Sequence, residues 1–170
     1  MSTQPTPTQI LTADQLRQKI RRIAFQIYEN NFDEPALVLA GVVGEGFVFA
    51  QALALELRQI APMPVSLLKI ELDKTQSAQP AVTISPGTDF QDKVVIVADD
   101  VLNSGRTLAF ALQSFLRVPV RKLQVAVLVD RNHPRYPVAA DYRGYALSTT
   151  LAEHVEVVLS DTERVGVYLQ

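Results

Sequence analysis

Two patterns of apolar and polar residues take turns along the chain as far as about residue 130: stretches typical of helices and short apolar segments typical of buried strands. Between residues 12 and 30, apolar side chains recur at steps of three and four behind a Thr12 and Gln15 pair with capping-box spacing, which predicts an amphipathic helix. Segments rich in alanine and leucine predict two more helices, at 47–60 and 108–116. Four segments rich in apolar residues predict strands, at 36–40, 65–70, 93–98 and 123–129. The first is a short continuous apolar run, as expected of a strand that is buried on both faces.

This alternation predicts an α/β fold, with a mostly parallel central sheet that is flanked by helices and binds ligands at the carboxyl ends of its strands. Residues 71–92 are polar and contain Pro80, Pro86 and Gly87, so we expect a partly mobile excursion or a hairpin there. Three shorter strands are predicted where β-branched or aromatic residues stand between turn residues: 141–147, 155–159 and 165–169.

Length and composition narrow the class of protein. A chain of 170 residues favours one domain, which we expect to cover residues 11–170, with residues 1–10 as a disordered arm. Cysteine is absent, which excludes a disulfide scaffold, a thiolate zinc site and a cysteine nucleophile. The formal net charge of −2 argues against a protein whose whole surface binds nucleic acid, although a local basic patch stays open.

The chain also lacks the signals of membrane insertion and export. No apolar run reaches the roughly 18 residues that span a bilayer. The first residues have neither the charged nor the apolar region of a signal peptide. We therefore expect a soluble, cytoplasmic protein with no membrane partner.

The segment from Val94 to Leu108 carries the clearest chemistry, because two adjacent acids and a glycine turn follow a buried strand and open a helix. A small turn at a helix N-terminus leaves backbone N–H groups unpaired, and the helix dipole adds positive potential there. The lysine of the nucleoside-triphosphate P-loop is missing. The segment therefore predicts a phosphate cradle, formed by Asn103, Ser104, Gly105, Arg106 and Thr107.

Asp99 and Asp100 precede the cradle. Carboxylates repel phosphate, but they accept hydrogen bonds from sugar hydroxyls or hold magnesium through water. A phosphate beside vicinal hydroxyls indicates a ribose 5-phosphate. Taken singly, the acids could be a capping pair and the glycine a plain turn, but their order directly after a buried strand favours the ligand site.

This segment resembles the phosphoribosyl-diphosphate (PRPP) signature of type I phosphoribosyltransferases. The resemblance extends over residues 11–170, and its other matching segments look in the same order like the pyrimidine-operon regulator/uracil phosphoribosyltransferase family. Those segments are 15–27, the Gly41 loop, 126–133 and 137–144.

The resemblance implies the type I phosphoribosyltransferase fold, with a small hood and a mobile flap, and displacement of pyrophosphate from C1′ of PRPP by a nucleobase nitrogen. Asp99 and Asp100 would hold the ribose hydroxyls and, indirectly through water or PRPP, Mg2+, while the cradle would hold the 5-phosphate. Magnesium would neutralise the leaving pyrophosphate. The family also implies a homodimer or homotetramer.

A second loop matches the family's pyrophosphate loop in position and in its glycines. Its order of glycines does not match the dinucleotide-binding motif G-x-G-x-x-G. Glu45 stands where uracil-type relatives carry arginine, so we expect weaker PRPP binding unless this side chain points away. The loop consists of Gly41, Val42, Val43, Gly44, Glu45 and Gly46.

Two further departures concern the flap and the base. Lys74 is the flap cation where relatives have arginine, and it is either a catalytic charge-screening residue or a solvated surface lysine. Asn103 replaces the acid that purine-type relatives use as a proton acceptor, and an amide cannot serve as a general base. The candidates for the base pocket are Arg131, Asn132 and His133, which follow the next strand.

We therefore expect a PRPP-dependent transferase that converts uracil and PRPP to UMP and pyrophosphate. The alternative is a nucleotide-sensing, RNA-binding regulator, for which the helix cations Arg17, Lys19, Arg21 and Arg22 would contact phosphates. A non-catalytic binder is a third possibility, because of Glu45.

Overall fold

The computed structural model describes residues 6–76 and 81–170. Its elements alternate as the apolar pattern predicts, and they are joined mostly by short connections. In chain order they are β1 (Thr8–Thr12), α1 (Ala13–Asn31), β2 (Leu37–Val42), α2 (Glu45–Ile60), β3 (Val65–Glu71), β4 (Thr83–Ile84), β5 (Val94–Leu102), α3 (Arg106–Gln113), β6 (Lys122–Asp130), β7 (Tyr142–Ala146), β8 (Val155–Val158) and β9 (Gly166–Leu169).

The central sheet has six strands in the order β4-β3-β2-β5-β6-β7. All its pairings are parallel except that of β4 with β3. In the register, Gly41 of β2 is paired with Lys69 of β3 and with Ala98 of β5, and Leu102 of β5 is paired with Asp130 of β6. The carboxyl ends of these four strands therefore meet at one edge, which confirms the predicted α/β fold and positions the site.

A second, antiparallel sheet of three strands, β1-β9-β8, forms the hood. Thr8 is paired with Leu169 and Thr12 with Gly166, so the two ends of the chain lie side by side. The expected disordered arm is therefore wrong for residues 8–10. Their polar sequence gives no strand signal of its own, and the partner that orders them lies about 160 residues away. Residues 1–5 lie outside the described residues.

Helices cover both faces of the central sheet. The buried side chains of α1 and α2, including Ile23 and Phe49, pack with those of the hood in one cluster. The buried residues Leu108 and Ala111 of α3 belong to a second cluster on the opposite face. The predicted capping box is present, because Gln15 N donates to Thr12 Oγ1 over 3.3 Å and Thr12 N donates to Gln15 Oε1 over 2.9 Å.

Two boundaries near the site differ from the prediction. β5 runs on to Leu102, so Asp99 and Asp100 lie in the strand rather than in a loop, and α3 begins two residues early, at Arg106. The strand extends because its partner β6 also runs on, to Asp130. In the excursion after β3, the short strand β4 pairs back on β3 and confirms the hairpin. Residues 77–80 of the predicted flap lie outside the described residues.

Within 6–76 and 81–170, none of the helices combines the length and the apolar character that crossing a lipid bilayer requires.

Candidate active site

The loop between β2 and α2 brings two glycines against the carboxyl end of β5. Gly44 caps α2 with φ +91°, a conformation that L side chains rarely adopt. Gly46 lies so close to β5 that a Cβ atom on it would stand 2.6 Å from Oδ1 of Asp99. Glycine at position 46 therefore lets the predicted pyrophosphate loop pack directly against Asp99.

Asp99, Asp100 and Lys74 form a charged cluster at the carboxyl end of β5. Lys74 Nζ lies 3.2 Å from Asp99 Oδ1 and 3.8 Å from Asp100 Oδ1. Asp99 is 2% exposed, and its Oδ1 also accepts a hydrogen bond from Asp100 N over 2.9 Å. Lys74 thus contacts both carboxylates while 37% of its side chain stays exposed, so the choice between a charge-screening residue and a solvated lysine stays a prediction.

The pKa of Asp99 is raised well above its ordinary value. Burial is the main cause, because it penalises the charged form, and the charge of Asp100 acts in the same direction. Lys74 opposes both effects and lowers this pKa. The lysine therefore supports the ionised state that a ribose hydroxyl or a cation would need.

The predicted phosphate cradle lies at the N-terminus of α3. Gly105 is the N-cap with φ +86°, and Ser104 Oγ accepts a hydrogen bond from Arg106 N over 3.3 Å. Ser104 O in turn accepts from the backbone N–H groups of Arg135 and Tyr136, over 2.9 and 3.0 Å. A cleft is lined by Asp99 and by residues 101–108, so the acid and the cradle face the same space.

Glu45 is directed toward the hood. Its Oε2 accepts hydrogen bonds from Leu159 N over 2.7 Å and from Ser160 N over 3.1 Å, and its Oε1 accepts one from Ser160 Oγ. Leu159 and Ser160 directly follow β8. The carboxylate therefore points to the hood, which is the condition under which we do not expect Glu45 to weaken PRPP binding.

The predicted base-pocket residues take different roles. Asn132 and His133 line a cleft next to the cradle, and Asn132 has φ +56° with its N–H on Asp130 Oδ1, 2.9 Å away. Arg131 is absent from that lining and is 8% exposed, with its side chain in an internal hydrogen-bond network. The structure thus places Asn132 and His133 in the cleft and Arg131 beside it.

Sequence reasoning missed Arg143, which lines this cleft and whose Nη1 lies 3.4 Å from Asp130 Oδ2. It follows β6 by a dozen residues on the edge strand β7, and nothing in its local sequence marks it. The parallel pairing of β7 with β6 is what brings it to Asp130. Sequence reasoning also missed Leu159 and Ser160, the hood partners of Glu45, because they lie more than 100 residues away along the chain.

The carboxylates of Asp99 and Asp100 suit a magnesium ion that they contact indirectly. Two adjacent carboxylates supply hard oxygen ligands, which Mg2+ prefers, and Mg2+ usually keeps several waters and substrate oxygens. Among the described residues no group of three or more histidine, aspartate or glutamate side chains forms a complete cage. Asp99 and Asp100 therefore fit an ion that is held mainly by substrate phosphates and water.

The fold is that of type I phosphoribosyltransferases. The model of the phosphoribosyl transferase domain family matches residues 7–163, and the chain belongs to that family. Among its relatives are proteins named bifunctional protein PyrR. The one from Bacillus velezensis is 35% identical over 94% of this chain and 95% of its own length. The one from Pelotomaculum thermopropionicum is 37% identical over 91% and 90%.

Solved structures agree on the fold. A hypoxanthine-guanine phosphoribosyltransferase from Bacillus anthracis superposes with a TM-score of 0.77 at 20% identity, covering 95% of this chain and 96% of that one. A hypoxanthine phosphoribosyltransferase from Trypanosoma cruzi gives 0.76 at 18% identity, covering 99% and 93%. These comparisons confirm the resemblance noted in the sequence.

Proposed function

We propose that this protein transfers the phosphoribosyl group of PRPP to uracil and releases UMP and pyrophosphate. The observation that carries the proposal is the single cleft in which Asp99 faces the phosphate cradle, with Lys74 3.2 Å from its carboxylate. A ribose 5-phosphate with a charged leaving group needs three kinds of protein group: hydrogen-bond donors for the phosphate, hydrogen-bond acceptors for the ribose hydroxyls, and a cation for the leaving group.

In the proposed mechanism, the chain binds and orients the reactants. Backbone N–H groups of the cradle hold the 5-phosphate, and Asp99 and Asp100 accept hydrogen bonds from the ribose 2′- and 3′-hydroxyls. The base nitrogen forms a bond to C1′ while the bond from C1′ to the pyrophosphate oxygen breaks, and its electron pair leaves with pyrophosphate. The proton of the base nitrogen passes to solvent, because Asn103 cannot accept it.

Charge in the cleft supports this step. The carboxylates stabilise the positive charge that develops on the ribose ring, and Lys74 neutralises part of the negative charge on the leaving group. Asp99 and Asp100 would hold magnesium indirectly, through water or PRPP, and the ion would supply further neutralisation of pyrophosphate. Gly41, Val42, Val43 and Gly44 supply the loop against which pyrophosphate would lie.

The choice of uracil rests on two features. Asn103 stands where purine-type relatives have an acid, and the two relatives described above share the PyrR name and over a third of their residues with this chain. The likeness to hypoxanthine enzymes, at about 20% identity, concerns the fold. The base would bind in the cleft lined by Asn132 and His133.

The direct test is pyrophosphate release with PRPP, Mg2+ and a panel of uracil, cytosine, hypoxanthine, guanine and adenine. We expect release with uracil, and a loss of more than about tenfold in Asp100→Asn, which removes a charged hydroxyl acceptor. Asp33→Asn is the matched control, since Asp33 is exposed in the turn after α1. No release with any base would refute the transferase, and release only with a purine would refute the choice of uracil.

An RNA-binding regulator is the second candidate, favoured by four cations within six residues of α1. In the structure these cations have intramolecular partners. Arg22 donates to the carbonyls of Arg143 and Gly144, Lys19 lies over the Tyr145 ring, and Arg21 lies over the ring of Phe25. A gel shift with a pyrimidine leader RNA that weakens steeply with salt would support this activity.

The proposed assembly, a homodimer or homotetramer, is tested separately by light scattering on the purified chain. A monomer at micromolar concentration would contradict it.

A further inference from the structure

Arg131 joins the phosphate cradle to the segment that leads into the hood. It follows β6 directly, and its Nη1 donates a hydrogen bond to Asn103 Oδ1 over 2.8 Å. Its Nε donates to Thr149 Oγ1 over 3.0 Å, and its Nη2 donates to the carbonyls of Thr150 and Glu153, over 3.3 and 2.5 Å. At 8% exposed, the guanidinium is held by several acceptors from two separate parts of the chain.

These bonds fix the orientation of the Asn103 amide. Arginine has only donors, so the amide atom that faces it must be the oxygen and not the nitrogen. Nδ2 of Asn103 therefore points away from Arg131, and among the described residues it has no hydrogen-bond partner. Asn103 is exposed and lines both the cradle cleft and the cleft of Asn132 and His133.

We propose that Arg131 is a positioning residue that presents the Asn103 amide nitrogen as a hydrogen-bond donor to the nucleobase. The base bound at this site then presents a lone-pair acceptor, a carbonyl oxygen or an unprotonated ring nitrogen, to Asn103. The carbonyl oxygens of uracil are such acceptors. The inference rests on the proposed function and deepens it, since it assigns a contact with the nucleobase to one oriented N–H group of the same site.

The geometry also separates the two roles of the cradle. The phosphate would be held by backbone groups at the N-terminus of α3, whereas the base would meet the side chain of Asn103. A ligand without a base therefore probes the first role alone. Ribose 5-phosphate is that probe, and UMP is the matched ligand that adds the base.

The test measures the binding of UMP and of ribose 5-phosphate by calorimetry to wild type, Asn103→Ala, Asn103→Asp, Arg131→Met and the double variant Asn103→Ala/Arg131→Met. We expect each single variant to bind UMP about three- to tenfold more weakly, the effect of one lost hydrogen bond. Ribose 5-phosphate should bind the uncharged variants Asn103→Ala, Arg131→Met and the double variant within about twofold of wild type. Asn103→Asp adds a charge that repels phosphate, so for this variant the loss for UMP should exceed the loss for ribose 5-phosphate. The double variant should be no weaker than Asn103→Ala, because Arg131 acts through the Asn103 amide and has nothing to position once that amide is removed.

Asn103→Asp keeps an acceptor for Arg131 but has no N–H donor, so it tests the proposal even where Arg131→Met fails to fold. With PRPP saturating, it should raise KM for uracil more than it lowers kcat. Arg131→Lys should restore part of the UMP affinity, because lysine is also a pure donor.

Unchanged UMP binding in Asn103→Asp, additive effects in the double variant, or equal weakening of both ligands would overturn the proposal. Failure of the wild type to bind either ligand would instead refute the proposed function. The two failures are thus distinguishable in one titration series.

Discussion

The contact between Glu45 and the hood gives the sharpest prediction, because it separates two roles of one carboxylate. Glu45→Ala removes the acceptor of two backbone N–H groups and one hydroxyl, at Leu159 and Ser160. Hydrogen bonds to a charged group are worth about 1.5–3 kcal/mol each when buried. Ser160 is exposed and Leu159 only half-buried, so we expect a total loss of about 1–3 kcal/mol after discounting for water.

For a chain of this length, each kcal/mol lowers Tm by roughly 2–4 °C. Thermal unfolding and urea titration of Glu45→Ala and Glu45→Gln therefore measure the tether, by which we mean the hydrogen bonds from Leu159 and Ser160 to Glu45. Glu45→Gln should lose less stability, because its amide oxygen still accepts hydrogen bonds. Hydrogen exchange should rise at the amides of Leu159 and Ser160. Glu56→Ala on the same helix is the matched control, since Glu56 makes no hydrogen bond within the described part of the chain.

The alternative is that Glu45 acts on PRPP through its charge. Neutralisation in Glu45→Gln would then raise PRPP affinity several-fold, whereas a carboxylate turned to the hood predicts a change within about twofold. Unaltered Tm and exchange in Glu45→Ala, together with tighter PRPP binding in Glu45→Gln, would refute the tether.

Three further predictions concern the cleft. Asp99→Asn should lower turnover more than tenfold yet raise stability at pH 7. The pKa of Asp99 is raised in the folded state, so the free energy of unfolding falls as pH rises above the ordinary aspartate pKa of 3.8. Urea midpoints across pH 4–8 should therefore fall less in the variant than in wild type. Lys74→Met should shift the acid limb of the kcat/KM profile to higher pH, because Lys74 lowers the pKa of Asp99, and an unmoved limb would contradict that coupling. Gly46→Ala should displace Asp99 and weaken ribose 5-phosphate binding at least about fivefold, of the order of one charged hydrogen bond. Gly44→Ala is the control, because a Cβ atom at position 44 has no atom within 4 Å. This variant should lose stability through its positive φ but keep Asp99 in place.

The elements of the central sheet and its helices were predictable from local pattern. Apolar periodicity and capping residues are properties of neighbours in sequence, so α1 with its capping box and the buried strand before Asp99 were predicted without tertiary information. The cradle was predictable for the same reason, because a glycine turn between a strand and a helix carries its own anion-binding geometry.

Only the tertiary structure decided what the side chains contact. β1 is a strand because β9, about 160 residues later, pairs with it. Glu45 turns to the hood because the end of β8 offers it N–H groups. Arg131 lies outside the cleft of Asn132 and His133 because Asn103 and the segment before the hood surround it with acceptors. Sequence determined which groups can donate, accept or carry charge, since that is a property of residue type. Which partner each one meets depends on backbone segments that are distant in sequence, and only packing brings these together.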